Sequence, residues 1–114
     1  MEAAKVTYVL TVFTTVGSMG DAQRLARLLL ERRLAACVQI EPGLVSHYIW
    51  QGEPCEEREL RLTIKTLPGR AAAIQALFEE HHPYDLPQFL SCAMQASPAY
   101  AAWVAEALAG PPPA

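Results

Sequence analysis

Two long extended segments joined by a two-residue turn constrain this chain more than any other feature. From Ala36 to Trp50, and back to Thr66, the residues favour β structure, and Gln51-Gly52 between them signals a tight hairpin. The returning segment alternates in its second half. Leu60, Leu62 and Ile64 fall on one face, and Glu59, Arg61, Thr63 and Lys65 on the other. Pro42-Gly43 interrupts the outgoing segment; proline cannot donate to a ladder and glycine relaxes the backbone, so the pair predicts a bulge or bend. These strands are longer than a small sheet needs. Strands that outrun their sheet leave open edges, which are paired or covered, and pairing between subunits is one solution.

The rest of the chain frames that hairpin. Thr7 to Thr15 reads TYVLTVFTT, rich in β-branched and aromatic residues and too short for a typical helix, which predicts a strand buried on both faces. Gly17-Ser18-Met19-Gly20 breaks it. Asp21 to Leu34 predicts a helix with Ala22, Leu25, Ala26, Leu29 and Leu30 on one side and Arg24, Arg27, Glu31 and Arg32 mostly on the other. Asp21 in its first turn and Arg32-Arg33 in its last suit the helix dipole. Pro68-Gly69 stops the hairpin, and Arg70 to His81 predicts a second helix with Ala71, Ile74, Leu77 and Phe78 as its stripe. His82 precedes Pro83 and is expected to be extended. Phe89 to Gln95 predicts a fourth strand. Ser97-Pro98 then supplies an N-cap and a first-turn proline to a third helix carrying Tyr100, Trp103, Val104 and Leu108. Gly110 ends that helix, and 110–114 form a frayed proline-rich tail. The order β-α-β-β-α-β-α describes a single α+β domain over 1–114, with a core at about 7–109. Its first six elements are the ferredoxin-like βαββαβ arrangement, followed by a C-terminal helix.

Composition narrows the function. Only 18% of the residues are charged and 52% are hydrophobic, a balance that suits a small domain hiding surface in an oligomer. The net charge is −3 and the only basic pair is Arg32-Arg33, so no nucleic-acid partner is expected. No apolar run approaches the roughly 18 residues of a membrane span, and no membrane partner is expected. Met1-Glu2-Ala3-Ala4-Lys5 lacks the features of a signal peptide. Cys37, Cys55 and Cys92 are odd in number and widely spaced, which argues against a disulfide framework and makes the cytoplasm the expected compartment. There is no Gly-rich phosphate loop, nucleophile elbow or H-E-x-x-H, so the chain is not expected to be an enzyme. Cys55 with His47 is the one nucleophile–base pair left open.

Several segments together resemble one family. Glu31-Arg32-Arg33-Leu34-Ala35-Ala36-Cys37-Val38 resembles its helix-to-strand segment. Pro42-Gly43 with Ser46, Tyr48, Trp50 and Gln51-Gly52 resembles its hairpin, and Ile64-Lys65-Thr66 its third strand. His82-Pro83-Tyr84 with Pro87 is similar to the signature before its last strand, and Tyr100 with Trp103 to its final helix. The family is CutA, the divalent-cation-tolerance proteins, and the resemblance covers Tyr8 to Leu108. It implies a homotrimer that pairs strands between subunits, a build similar to PII signalling proteins, a role in tolerance to copper and other divalent cations, and no established reaction. It also implies a copper site formed by a Cys, the His of the HPY signature and a Glu. The His maps to His82. The Cys position holds Phe13 and the Glu position Gln88, so two of the ligands are replaced by residues that bind copper poorly or not at all.

Residue chemistry leaves alternatives open at each candidate. His82 reads as a ligand for Cu(II) or another divalent cation, completed by copies of itself or by His47 of a neighbouring subunit, or as a structural hydrogen-bonding residue ahead of a proline turn. His81, its neighbour, points elsewhere in an extended chain. Cys37 and Cys92 read as core, and Cys55 as more exposed. Tyr48, Trp50, Glu59, Lys65, Tyr84 and Asp85 form a second constellation. In the resembled family such residues gather at clefts between subunits, and they read either as interface packing and ion pairs or as an intersubunit cleft for a small anionic ligand, with an aromatic wall, a lysine and a carboxylate. Three functions follow: a trimeric metal-tolerance protein binding through His82, a PII-like sensor or scaffold binding a small molecule without metal, and a stable trimer with a protein partner.

Overall fold

A computed structural model describes residues 6–111. The readings of a signal-free N-terminus and of most of the proline tail lie outside them. Seven elements follow in the expected order: β1 (Thr7–Val16), α1 (Met19–Glu31), β2 (Cys37–Trp50), β3 (Glu53–Thr66), α2 (Ala71–His81), β4 (Leu90–Ala96) and α3 (Pro98–Leu108). A single 3₁₀ turn, Pro68–Arg70, leads into α2. The sheet runs β2-β3-β1-β4 with every neighbouring pair antiparallel, the split βαβ arrangement.

β1 lies in the interior of the sheet and is buried on both sides. Leu10, Val12 and Val16 pack against Leu25 and Leu29 of α1 and against Ile74, Leu77 and Phe78 of α2. Val9, on the opposite face, packs against Val104 and Leu108 of α3. Two layers of helix therefore share one strand, which explains the unbroken apolar run in its sequence.

The hairpin follows its sequence closely. Gln51 and Gly52 both take positive φ, 50° and 81°, the conformation a two-residue type I′ turn requires. The β2–β3 register slips between Glu41 and Leu44, at Pro42-Gly43, where Gly43 has φ 86°. β1 supports β3 only from Leu60 to Thr66, whereas β2 accompanies β3 from Glu53 to Lys65. The outer half of the hairpin is thus a two-stranded arm beyond the sheet. It lengthens the molecule to 58 Å and gives a radius of gyration of 15.7 Å, against about 13 Å for a compact domain of this size.

Several expectations need correction. α1 begins at Met19, because Ser18 accepts the Asp21 N–H at 3.1 Å as N-cap, and it ends at Glu31. Arg32 is the C-cap and Arg33 has φ 56°, so neither lies in the last turn. The N–H groups of Arg33 and Leu34 return to the carbonyls of Leu30 and Leu29, a Schellman close with arginine where glycine is usual. Arg33 is held there by its own contacts: it donates to Ala107 O and its carbonyl accepts from Arg70. Leu30 is 44% exposed, and Leu28 packs on the core instead. In α3, Val104 and Leu108 are buried but Trp103 is exposed. Cys92 is exposed rather than core, because β4 is an edge strand with no cover from its own chain, and Cys37 is half-buried.

Leu25→Ala should destabilise the fold by about 2–5 kcal/mol, since Leu25 is fully buried. Leu30→Ala should cost less than about 1 kcal/mol. Paired denaturant titrations check the assignment of the helix face.

Candidate functional site

The root of the arm meets the loop after α2, and the chemistry concentrates there. Pro83 forces His82 out of the helix (φ −72°, ψ 137°), while its N–H still bonds Phe78 O at 3.0 Å. The turn carries the imidazole inward. Its Nδ1 accepts the Tyr84 backbone N–H at 3.1 Å, and Nε2 lies 3.0 Å from Thr14 Oγ1. An Nδ1 that accepts is bare, so Nε2 carries the proton and donates. Phe78 and Tyr84 close on the ring with centroids at 5.3 and 5.2 Å. Burial lowers the His82 pKa most and Arg24 lowers it further. A bond to the Thr15 backbone and the charges of Asp21 and Glu59 oppose the shift.

Tyr84 continues the chain of bonds. Its hydroxyl donates to Glu59 Oε2 at 2.8 Å. Glu59 is only 8% exposed, although its strand face reads as a solvated run of charges. Burial, and then the Glu59 carboxylate, raise the Tyr84 pKa well above the ordinary tyrosine range, which keeps the phenol a donor. Thr14, His82, Tyr84 and Glu59 thus tie β1, the end of α2 and β3 together.

Outside this chain of bonds opens a hollow of about 700 Å³. Tyr48 and Trp50 line it from the arm, Thr15 and Glu59 from the sheet, and Tyr84 and Asp85 from the loop. Gln88, Leu86 and His47 also reach it. Of the six residues of the cleft constellation, the structure brings five together. Lys65 lies elsewhere, opposite Cys37 and Thr11, and bonds Gln39. Within one chain, the lining of the hollow holds two carboxylates and neither lysine nor arginine. The Cys55–His47 pair is not built either: Tyr48 stands opposite Cys55 and Glu56 opposite His47, so the two point to opposite faces of the ladder.

The CutA1 divalent ion tolerance protein family matches residues 10–107. This chain belongs to that family. The divalent-cation tolerance protein CutA of Thermus thermophilus is 42% identical over 80 residues, 70% of this chain and 78% of that protein. The crystal structure of CutA from Xylella fastidiosa superposes with a TM-score of 0.85 at 33% identity, covering 90% of this chain and 100% of that one. A structure from Archaeoglobus fulgidus, described as a periplasmic divalent cation tolerance protein CutA, gives a TM-score of 0.84 at 26% identity, with coverage of 90% and 100%.

The ligand positions implied by the CutA resemblance do not form a metal site within this chain. Both nitrogens of His82 are committed, Nδ1 to an N–H and Nε2 to its own proton facing Thr14. Phe13 neighbours Thr14 on the strand and so projects from the other face, where it lies beneath the Arg61 guanidinium at 5.7 Å. Gln88 lines the hollow. His81 turns toward Glu80 and Arg32. Among the described residues, no group of three or more His, Cys, Asp or Glu is placed to hold a metal ion. Within one chain, the described residues do not complete a divalent-cation site at His82.

Sequence reasoning missed Thr14 and the burial of Glu59. A threonine inside an apolar strand carries no mark of its partner. Glu59 is distinguished only by lying one residue before the alternating Leu60, Leu62 and Ile64.

His82 is neutral in the fold, with a pKa below its ordinary value of about 6.5. Between the two values the unfolded chain binds the extra proton, so stability is full above about pH 6.5 and falls as the pH drops below it. Thermal melts from pH 8 to 5 should show this loss, and His82→Gln should flatten it. Tyr84→Phe should cost about 1–3 kcal/mol by removing the donor to a buried carboxylate, as read by denaturant unfolding.

Proposed function

We propose that this protein serves divalent-cation tolerance as a homotrimeric binding protein, taking a small molecule into the hollow rather than a metal ion onto His82. The observation that carries the reading is the contrast between the two places. His82 is spent on internal hydrogen bonds, whereas the hollow combines volume, aromatic walls and a nearly buried carboxylate. No step of a reaction is proposed.

Trimerisation is supported by the surface that one chain leaves open. Val45 and Ile49 on the arm, and Leu90 and Met94 on β4, are all exposed, and they belong to the two edge strands of the sheet. An open edge with apolar side chains is normally paired or covered. Light scattering should give three times the 12.5 kDa chain mass, and Leu90→Arg should shift the protein toward monomer. We also place it in the cytoplasm, a reading supported by three free cysteines and testable by fractionation.

Calorimetric titration with Cu(II) and Zn(II) separates the two places. Wild-type protein and His82→Gln should give the same heats, with no saturable site that the substitution abolishes. A saturable site present in wild type and absent from the variant would return the function to His82.

A further inference from the structure

We infer that the hollow selects an organic cation, a small molecule carrying an ammonium group. The inference rests on the reading of the hollow as a ligand site and adds its chemical class.

Aromatic rings and carboxylates line the space. Tyr48, Trp50 and Tyr84 contribute rings, and Glu59 and Asp85 contribute carboxylates, with no lysine or arginine to neutralise them. Tyr48 and Trp50 are two residues apart on one strand, so their side chains leave the same face roughly 7 Å apart. That spacing admits an alkylammonium head between or across the rings, whose negative faces attract a cation. A compact metal ion gains little there, because aromatic faces and a single free carboxylate oxygen do not complete its coordination.

Glu59 supplies the second observation. The residue is 8% exposed, and it lines the hollow. One oxygen, Oε2, takes the Tyr84 hydroxyl. No protein donor reaches Oε1 among the described residues. A carboxylate that lines the hollow beside three aromatic rings gains from a positive partner there. The Tyr84 bond also orients it, so the site needs little reorganisation on binding. An anionic ligand would face the same carboxylate, with Asp85 also in the lining and neither lysine nor arginine to offset them.

Trp50 is the natural reporter. The chain holds two tryptophans, Trp50 and Trp103, and Trp103→Phe leaves Trp50 alone. In that background, Trp50 emission should change saturably with choline. The neutral carbon isostere of choline should bind about tenfold or more weakly. Glu59→Gln should lower choline affinity by a similar factor. Tyr48→Leu should do so too, and its side chain is 40% exposed, so it serves should the Glu59 variant fail to fold. Equal binding of choline and its isostere overturns the charge selection. Saturable binding of citrate without choline also overturns it, while leaving the hollow as a ligand site. No response of Trp50 to any of these probes removes both the organic-cation assignment and the hollow as a binding site.

Discussion

β1 ends at Val16, and there β3 loses its inner neighbour. Val16 pairs with Leu60, and the next residue outward is Glu59. Every β3 residue from Leu60 to Thr66 has a strand on β1's side, whereas Glu53 to Glu59 have only β2. An isolated two-stranded ribbon is marginal in water, so the arm must lean on something besides its own ladder. Within the chain, the support at its root is the loop after α2, bolted by Tyr84 to Glu59 and by His82 to Thr14. The hollow is the space left where ribbon and loop diverge beyond those bolts. The uncovered apolar residues of the arm follow from the same length mismatch, whereas those of β4, paired along its whole length with β1, are exposed because it is an edge strand.

This mismatch separates what the sequence made legible from what it did not. The hairpin, its turn at Gln51-Gly52, the bulge at Pro42-Gly43 and the strand order all follow from local chemistry: positive φ, a missing donor, alternation. The Ser97 cap is equally local, with its hydroxyl accepting the Tyr100 N–H at 3.2 Å. The errors lie where burial depends on which surface is covered. Leu30, Trp103 and Cys92 sit on apolar stripes or strands, yet a single chain covers none of them. Hydrophobicity records how strongly a side chain avoids water, not whether the chain's own elements cover it. The assignment of Arg32-Arg33 to the last helical turn failed for a different reason. A Schellman close normally advertises itself with glycine, and here two tertiary hydrogen bonds hold an arginine in the left-handed region, at a cost of about 1–2 kcal/mol.

The candidate site was legible as a set of residues and opaque as a set of roles. Tyr48, Trp50, Glu59, Tyr84 and Asp85 do converge. Their spacing along the chain said nothing of Glu59's burial or of the bond that fixes it. His82 shows the limit most clearly. As a residue type it suits a metal ion, and its place before proline suits a turn; only the two partners of its ring decide between them. A histidine whose Nδ1 caps a backbone N–H holds a loop in shape, and the loss of that acceptor on protonation is a structural event.

The bolts and the hollow share a residue, and that couples folding to binding. Glu59 is buried because the arm leaves the sheet there, and it is tolerated because Tyr84 donates to it. Glu59 also lines the hollow. A positive group in the hollow would give that carboxylate a charge-assisted partner in addition to the Tyr84 hydroxyl. A ligand held this way strengthens the link between arm and body without moving either. The rigidity of the arm root then becomes the quantity that a bound ligand sets. The apolar residues that one chain leaves exposed, Val45 and Ile49 among them, lie on that same arm and on the edge strand β4, so a ligand in the hollow would act at the root of the element that carries two of them.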